Sequence, residues 1–307
     1  MRKIVVPPIK SQGIKTKLVP WIQALVVSRS GRWIEPFMGT GVVAFNMGFN
    51  DVLLSDINPH VVNFYNGIKN NTITALKVRA FLEHEGAILQ NAADDGYEHY
   101  KFIRDRFNNR YDPLDFLFLS RAGFNGMIRF NSKGQWNIPF CKKSKRFSKA
   151  YTTKIVNQVA KVASIIDDNW TFLNQDFREI ISKADEHDFL YCDPPYYGRY
   201  VDYYNGWTDE DEHDLFEALK KTKARFILST WHHNDYREND MMDKYWNNFN
   251  IVTKDHFYHS GGKLENRNSV VEALVFNFNT NIEKYNYQSV LVEQQLFLGG
   301  DPESMLG

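Results

Sequence analysis

Cysteine is almost missing from this chain. Of 307 residues only Cys141 and Cys192 carry a thiol, and neither sits in a C-x-x-C pair or a Cys/His ligand spacing. A disulfide-stapled fold and a structural zinc site are disfavoured, and a reducing compartment is expected. No apolar run approaches the roughly 18 residues of a membrane span, and Ile4-Val5-Val6 is cut off by Pro7-Pro8 before it could act as a signal core. Internal repeats, low-complexity tracts and a Pro/Gly-rich linker are also lacking, so any second domain has to be an insertion and not a tethered tail. The sequence predicts a soluble cytoplasmic protein without a metal centre, its 43% apolar content sufficient for one sizeable core plus a smaller appendage.

Net charge is lacking too, with 37 basic against 37 acidic residues. Affinity for phosphate follows the local field and not the total. From Phe116 to Ala150 there is no Asp or Glu, while Arg121, Arg129, Lys133, Lys142, Lys143, Lys145, Arg146 and Lys149 all fall in that interval. Phe124, Phe130, Trp136, Phe140 and Phe147 are interleaved with them. Such a stretch is either a solvated face or a surface for a polyanion with stackable bases, and the aromatics favour the second.

Short apolar runs alternate with helix-like segments. Arg32–Glu35, Asp51–Ser55, Thr171–Leu173, Phe189–Tyr191 and Phe226–Leu228 are strand candidates. Val42–Phe49 has helix-forming character, Pro59 suits a helix first turn, and Thr208 caps a helix over Asp209–Lys221. Asn250–Phe257 and Val270–Phe278 read as a terminal hairpin. The fold class expected is α/β, a parallel sheet covered by helices on both faces and mixed at one edge, with ligands gathered at the carboxyl ends of the strands. Residues 61–165 lack the strand-helix rhythm and are expected to form an inserted, mainly helical module; residues 1–60 and 166–307 form the sheet domain.

Two loops carry the chemistry. Asp193-Pro194-Pro195-Tyr196 directly follows a buried run. A carboxylate followed by two prolines sets a charge and a rigid, carbonyl-rich turn at the ligand edge. The lone pair of an exocyclic amine such as adenine N6 is delocalised into its ring; the Asp193 carboxylate and the Pro194 carbonyl could take its two hydrogens and localise that pair toward an electrophile, with Tyr196 stacking on the base. Glu35-Pro36-Phe37-Met38-Gly39-Thr40-Gly41 likewise follows a strand and precedes a helix. It lacks the third glycine of a dinucleotide fingerprint and any Gly-Lys-Ser/Thr, which disfavours NAD and ATP. Glu35 would repel a pyrophosphate but suits an ammonium, and Asp56 can accept from ribose hydroxyls. The ligand implied is a nucleoside joined to an amino acid.

Together these loops resemble the class I, S-adenosyl-L-methionine-dependent DNA adenine-N6 methyltransferases, and within them the Dam-like group, whose recognition domain is inserted between the two motifs. The strings Arg121–Arg129 and Gly134–Phe140 resemble that group's DNA-reading hairpin. The resemblance implies a class I methyltransferase sheet, S-adenosyl-L-methionine as cofactor, double-stranded DNA as partner and a flipped-out adenine as substrate. It assigns Lys10, Lys15, Phe37, Gly39, Gly41, Asp56 and Asp176 to cofactor binding; the chemistry of the two loops adds Glu35 and Asp193 there and gives Asp193, Pro194, Pro195 and Tyr196 the catalytic role. The resemblance assigns Phe124, Asn125, Met127, Arg129 and Pro139 to DNA, and the acid-free basic stretch adds Arg121, Lys133, Lys142 and Lys143 as DNA contacts. The chain departs from the pattern at Ser11 and Ile14 in the N-terminal lysine motif and at Cys141 and Lys142 after the Pro-Phe pair. Amino-group methylation of cytosine and a catalytically silent DNA-binding subunit are the alternatives.

The remaining features are blander. Cys192 reads as a buried small side chain, and His232-His233 lacks a third ligand at useful spacing. Gly198–Gly206, with three tyrosines, is a candidate lid. The tail string Gln295-Leu296-Phe297-Leu298 loosely resembles sliding-clamp-binding peptides, and a cognate restriction endonuclease would be a second possible partner.

Overall fold

A computed structural model describes residues 3–26, 28–197, 206–257 and 269–280. The lid candidate, apart from Gly206, and the whole tail string lie outside them. The elements in chain order are α1 (Val19–Leu25), β1 (Arg32–Glu35), α2 (Ala44–Met47), β2 (Asp51–Ser55), α3 (Pro59–Lys69), α4 (Ala75–Asn91), α5 (Tyr97–Arg110), α6 (Pro113–Ala122) and α7 (Lys149–Ala163). They continue with β3 (Trp170–Leu173), α8 (Phe177–Ser182), β4 (Phe189–Cys192), α9 (Asp209–Lys221), β5 (Arg225–Asn234), β6 (Asn250–Phe257) and β7 (Ser269–Phe276).

The strands form one seven-stranded sheet in the order β3-β2-β1-β4-β5-β7-β6. β1 to β5 run parallel, while β7 pairs antiparallel with β5 and β6. This is the mixed, helix-covered sheet expected of a class I methyltransferase. Its central strands are buried on both faces, which is why β4 reads Phe-Leu-Tyr-Cys with no polar alternation. Gly31 precedes β1 at φ +83°, where a side-chain carbon would fall 1.9 Å from the His187 carbonyl oxygen, so only glycine lets β1 begin beside β4. Arg32 then clamps Asp188 through Nε and Nη2 at 3.2 and 2.8 Å.

Two expectations shift. The helix read over Val42–Phe49 is only Ala44–Met47, because Gly41 and Gly48, both at positive φ, bracket it. The strand read as Phe226–Leu228 continues to Asn234, since pairing with β7 carries its polar half through a bulge between Trp231 and His233. Thr208 caps α9 as expected, with Asp211 completing a capping box.

The segment between β2 and β3 is helical throughout its regular part. The expected boundary at residue 61 falls inside α3, which packs on the sheet domain: Asn66 Nδ2 donates to the Phe172 carbonyl of β3 at 3.3 Å. One continuous apolar core holds Trp33 and Val52 of the sheet together with Tyr100, Phe107, Phe116 and Ile155 of the insertion. A charged network ties α4, α5 and α6: Arg106 donates to Asp115 at 2.5 and 2.9 Å and to Glu85 at 2.9 Å, and His99 Nε2 lies 2.9 Å from Glu85. Replacing Arg106 by Leu would leave two buried acids without this cation. The expected cost is about 3–5 kcal/mol, read as a lowered urea midpoint; an unchanged midpoint would deny the network its role.

Candidate active site

Four strands deliver their carboxyl ends to one edge of the sheet: Glu35 ends β1, Asp56 follows β2, Asp176 lies three residues past β3, and Asp193 follows β4. Hydrogen bonds join these loops. The Gly39 N–H donates to Asp56 Oδ2 at 2.8 Å and the Asn58 N–H to Oδ1 at 2.9 Å. Ser55 Oγ donates to the Leu173 and Gln175 carbonyls, at 3.1 and 2.8 Å, and Asn174 Nδ2 to the Asp56 and Ile57 carbonyls at 2.8 and 3.0 Å.

Glu35 is only 1% exposed, and its Oε1 accepts from Trp33 Nε1 at 2.9 Å. Burial pushes its carboxyl up to about 8, and the nearby Asp193 charge adds to the rise. Gly39 and Gly41 both have positive φ. A side-chain carbon at Gly39 would meet nothing within 4 Å, whereas one at Gly41 would fall 2.8 Å from the Phe45 ring. The loop is therefore open at the first glycine and closed against α2 at the second. Phe37 stacks on Phe177 with centroids 5.1 Å apart and meets the edge of Trp207 at 5.7 Å. Asp176 caps α8, accepting the Arg178 N–H at 2.9 Å, and pairs with the Arg178 guanidinium, which also reaches Asp211 and Asp214 at 2.8 and 2.7 Å.

The turn after β4 holds a half-buried Asp193, a buried Pro194 and a buried Tyr196. Lys15 Nζ stands 2.9 Å from Asp193 Oδ1 and 4.7 Å from the centroid of the Tyr196 ring. Burial raises the Asp193 carboxyl to about 6 despite Lys15, and the Glu272 charge pushes the same way. Tyr196 OH donates to Glu272 Oε2 at 2.5 Å, and Trp231 Nε1 donates to the Tyr197 carbonyl at 3.2 Å. Glu272 and Trp231 escaped sequence reading. A usable signal for Glu272 was a lone acid inside Val270–Phe276, an otherwise apolar strand in which burial demands a partner. Cys192 is fully buried, as expected, and burial lifts its thiol far above the ordinary value, which leaves it inert.

Lys15 thus joins the turn at Asp193. The alkyl chain of Lys10 lies against Gly126, where a side-chain carbon would be 2.8 Å from Lys10 Cε, and burial together with Arg146 lowers its pKa. The N-terminal segment turns between the two lysines, and the Gln12 N–H donates to the Gly126 carbonyl at 3.1 Å. Arg121 requires correction as a DNA contact. It is 5% exposed and its guanidinium is bound to the Pro7 and Pro8 carbonyls and to Gln158 Oε1, because α6 turns that face into the core.

The aromatics expected to offer a stacking surface are mostly core: Phe130, Trp136, Phe140 and Phe147 are buried, because the segment folds its rings onto the helices of the insertion, and of the five Phe124 alone is exposed. Antiparallel bridges Gly123↔Phe140 and Phe130↔Trp136 make residues 123–140 an irregular hairpin. Phe124 is 48% exposed, Asn125 has φ +52°, and the Pro139 carbonyl accepts the Phe124 N–H at 2.9 Å. Met127 is half-buried against the core; Lys133, Lys142 and Lys143 are exposed. Arg129 Nε donates to Asn137 Oδ1 across the hairpin at 2.9 Å. The His232 and His233 Nδ1 atoms lie 2.9 Å apart, and among the described residues no group of three or more His, Cys, Asp or Glu could hold a metal. No described helix is long and apolar enough to cross a membrane.

Comparison with known proteins converges on the same chemistry. The DNA adenine methylase of Vibrio cholerae is 32% identical over 224 residues, 70% of this chain and 76% of that protein. That of Escherichia coli is 30% identical over 205 residues, 63% of this chain and 68% of that protein. A type II methyltransferase of Lactococcus lactis subsp. cremoris, M1.LlaDCHI, is 24% identical over 292 residues, 89% and 95% of the two chains. The family model described as D12 class N6 adenine-specific DNA methyltransferase matches residues 11–260, which take in both loops and the hairpin. The chain belongs to the D12 class of N6 adenine-specific DNA methyltransferases.

Proposed function

We propose that this chain transfers a methyl group from S-adenosyl-L-methionine to N6 of an adenine flipped out of duplex DNA, with Asp193, Pro194 and Tyr196 receiving the base and the Glu35–Gly41 loop and Asp56 holding the cofactor. The observation that carries the reading is the meeting of Glu35, Asp56 and Asp193 at one sheet edge, beside a glycine loop with open space at Gly39.

The residues present fit the cofactor. Glu35 is a buried acid whose charge would be restored by an ammonium, Asp56 offers a carboxylate at the end of β2 to ribose hydroxyls, and Gly39 lets a ligand approach the backbone. When bound, S-adenosyl-L-methionine supplies a methyl already activated on a sulfonium. The protein therefore needs no covalent nucleophile, and its contribution is positioning and charge complementarity. Lys15 engages Asp193 Oδ1, which leaves Oδ2 to accept one amine hydrogen while the Pro194 carbonyl accepts the other. The same carboxylate offsets positive charge as it develops on the nitrogen. Extruding the base costs a few kcal/mol, recovered by stacking and by edge contacts in the pocket.

The hairpin at residues 123–140 is the proposed recognition element, with exposed Phe124 as a wedge and Arg129 as a guanine reader. Arg129→Ala is expected to relax sequence choice by about 1–3 kcal/mol at one base pair. Methylation of singly substituted duplexes measures this, and an unchanged profile would remove Arg129 from base reading. The type II relative supports a setting beside a restriction endonuclease. Labelled methyl transfer to duplex DNA tests the whole reading: label in adenine supports it, label in cytosine overturns the choice of base, and no incorporation into any duplex overturns turnover itself.

A further inference from the structure

We propose that Glu272 is a positioning residue for the methyl-transfer site, fixing the ring of Tyr196 through its hydroxyl; this rests on the assignment of the Asp193–Tyr196 turn as the adenine pocket. Glu272 belongs to neither chemical loop. It lies 76 residues beyond Tyr196, on the antiparallel strand β7, opposite Trp231 of β5. Its exposure is 0%, in a strand whose other residues from Val270 to Phe276 are all apolar. The Tyr196 hydroxyl donates to Glu272 Oε2, which joins the turn after β4 to β7.

A buried phenol needs an acceptor, and an acceptor fixed on a strand also sets where the ring can lie. What the carboxylate adds is a stiff, strongly directional anchor. Four constraints then converge on one ring. Its hydroxyl is held by Glu272, its body shares a small apolar cluster with Trp231 and Val270, Lys15 stands over it, and Trp231 Nε1 ties down the next residue's carbonyl. The turn leaves the sheet at Cys192 and is fastened again on the β5–β7 wall, so Asp193 and Pro194 are held from both sides. A base stacked on a ring that can tilt would present its amine to these acceptors at variable angles, and small misplacements at a reacting atom are costly.

The test is a double-mutant cycle on the full chain, with single-turnover methylation of a duplex and separate measurement of DNA affinity. Glu272→Leu and Tyr196→Phe are each expected to lower the methylation rate roughly tenfold with DNA affinity unchanged, and the double variant to be no slower than the worse single one. Glu272→Gln, which keeps an acceptor but not the carboxylate, is expected to fall between the wild type and Glu272→Leu, with a loss of about threefold. A wild-type rate in Glu272→Leu, or losses that multiply to roughly a hundredfold in the double variant, would overturn the proposal. Should Glu272→Leu not fold, the same cycle is read between Glu272→Gln and Tyr196→Phe: any defect of the Gln variant has to vanish once the hydroxyl is gone, and a defect that persists overturns it. Asp193→Asn separates the two levels. Activity in that variant defeats the pocket assignment itself, whereas an inactive Asp193→Asn beside a fully active Glu272→Leu defeats only the role of Glu272.

Discussion

Asp193→Ala is expected to lower the rate of methyl transfer on the order of 10³-fold while DNA affinity stays near wild type. Removal of a single well-placed group that stabilises developing charge costs on the order of 10² to 10³ in kcat, and Asp193 would supply both an acceptor for the amine and the charge that offsets its developing positive one. The residue makes no phosphate contact in this assignment, so binding to the duplex, which rests on the exposed lysines of the 123–140 hairpin and the segment after it, should persist. The variant also leaves Lys15 buried without its carboxylate, so lost stability has to be separated from lost chemistry. Asp193→Asn, nearly isosteric, does part of that. The pair Asp193→Ala with Lys15→Met does the rest, because removing both charges should restore stability without restoring turnover. Filter binding and single-turnover methylation on the same preparations check the split; methylation within tenfold of wild type in Asp193→Ala would remove the carboxylate from the mechanism.

The parts of this site that could be read in the sequence are those in which chemistry and local structure coincide. Asp193-Pro194-Pro195-Tyr196 follows an all-apolar strand, and Glu35 to Gly41 joins a strand to a helix, so each loop announces both its place at the sheet edge and its donor set. The Thr208 cap and the acids of the first turn of α9 were legible for the same reason, since the physics that sets them spans four residues. What failed to show was contact across the chain. Lys15 meets Asp193 from 178 positions away and Tyr196 finds Glu272 from 76. Arg121 looks like its basic neighbours in composition, and only the packing of α6 decides that its guanidinium serves Pro7 and Pro8 and not a phosphate. The polar half of β5 has no strand-like alternation of its own and is extended because β7 pairs with it.

Glu35→Gln is expected to make the cofactor-free protein more stable at neutral pH and to abolish the proton release that should accompany cofactor binding. The Glu35 carboxyl rises from about 4.5 to about 8 because burial penalises its charge. An acid whose folded pKa is raised contributes stability that is fully present below the unfolded value and is lost as pH rises through the folded value. The cofactor-free protein should therefore weaken between about pH 4.5 and 8 and change little from this group above that. At about 1.4 kcal/mol per unit, the penalty near pH 7 is on the order of 3 kcal/mol. Glutamine keeps an acceptor for Trp33 Nε1 and carries no charge, so it should remove most of that slope, leaving the smaller one that Asp193 contributes between about 3.8 and 6. In the wild type a cationic amine seated beside Glu35 would favour the ionised carboxylate. Below about pH 8 binding should then expel close to one proton, and apparent affinity should strengthen with rising pH until that point. Calorimetry in two buffers of different ionisation enthalpy counts the proton directly. A binding heat independent of buffer, with Glu35→Gln binding the cofactor as tightly as wild type, would place the ammonium elsewhere and leave Glu35 as a structural partner of Trp33.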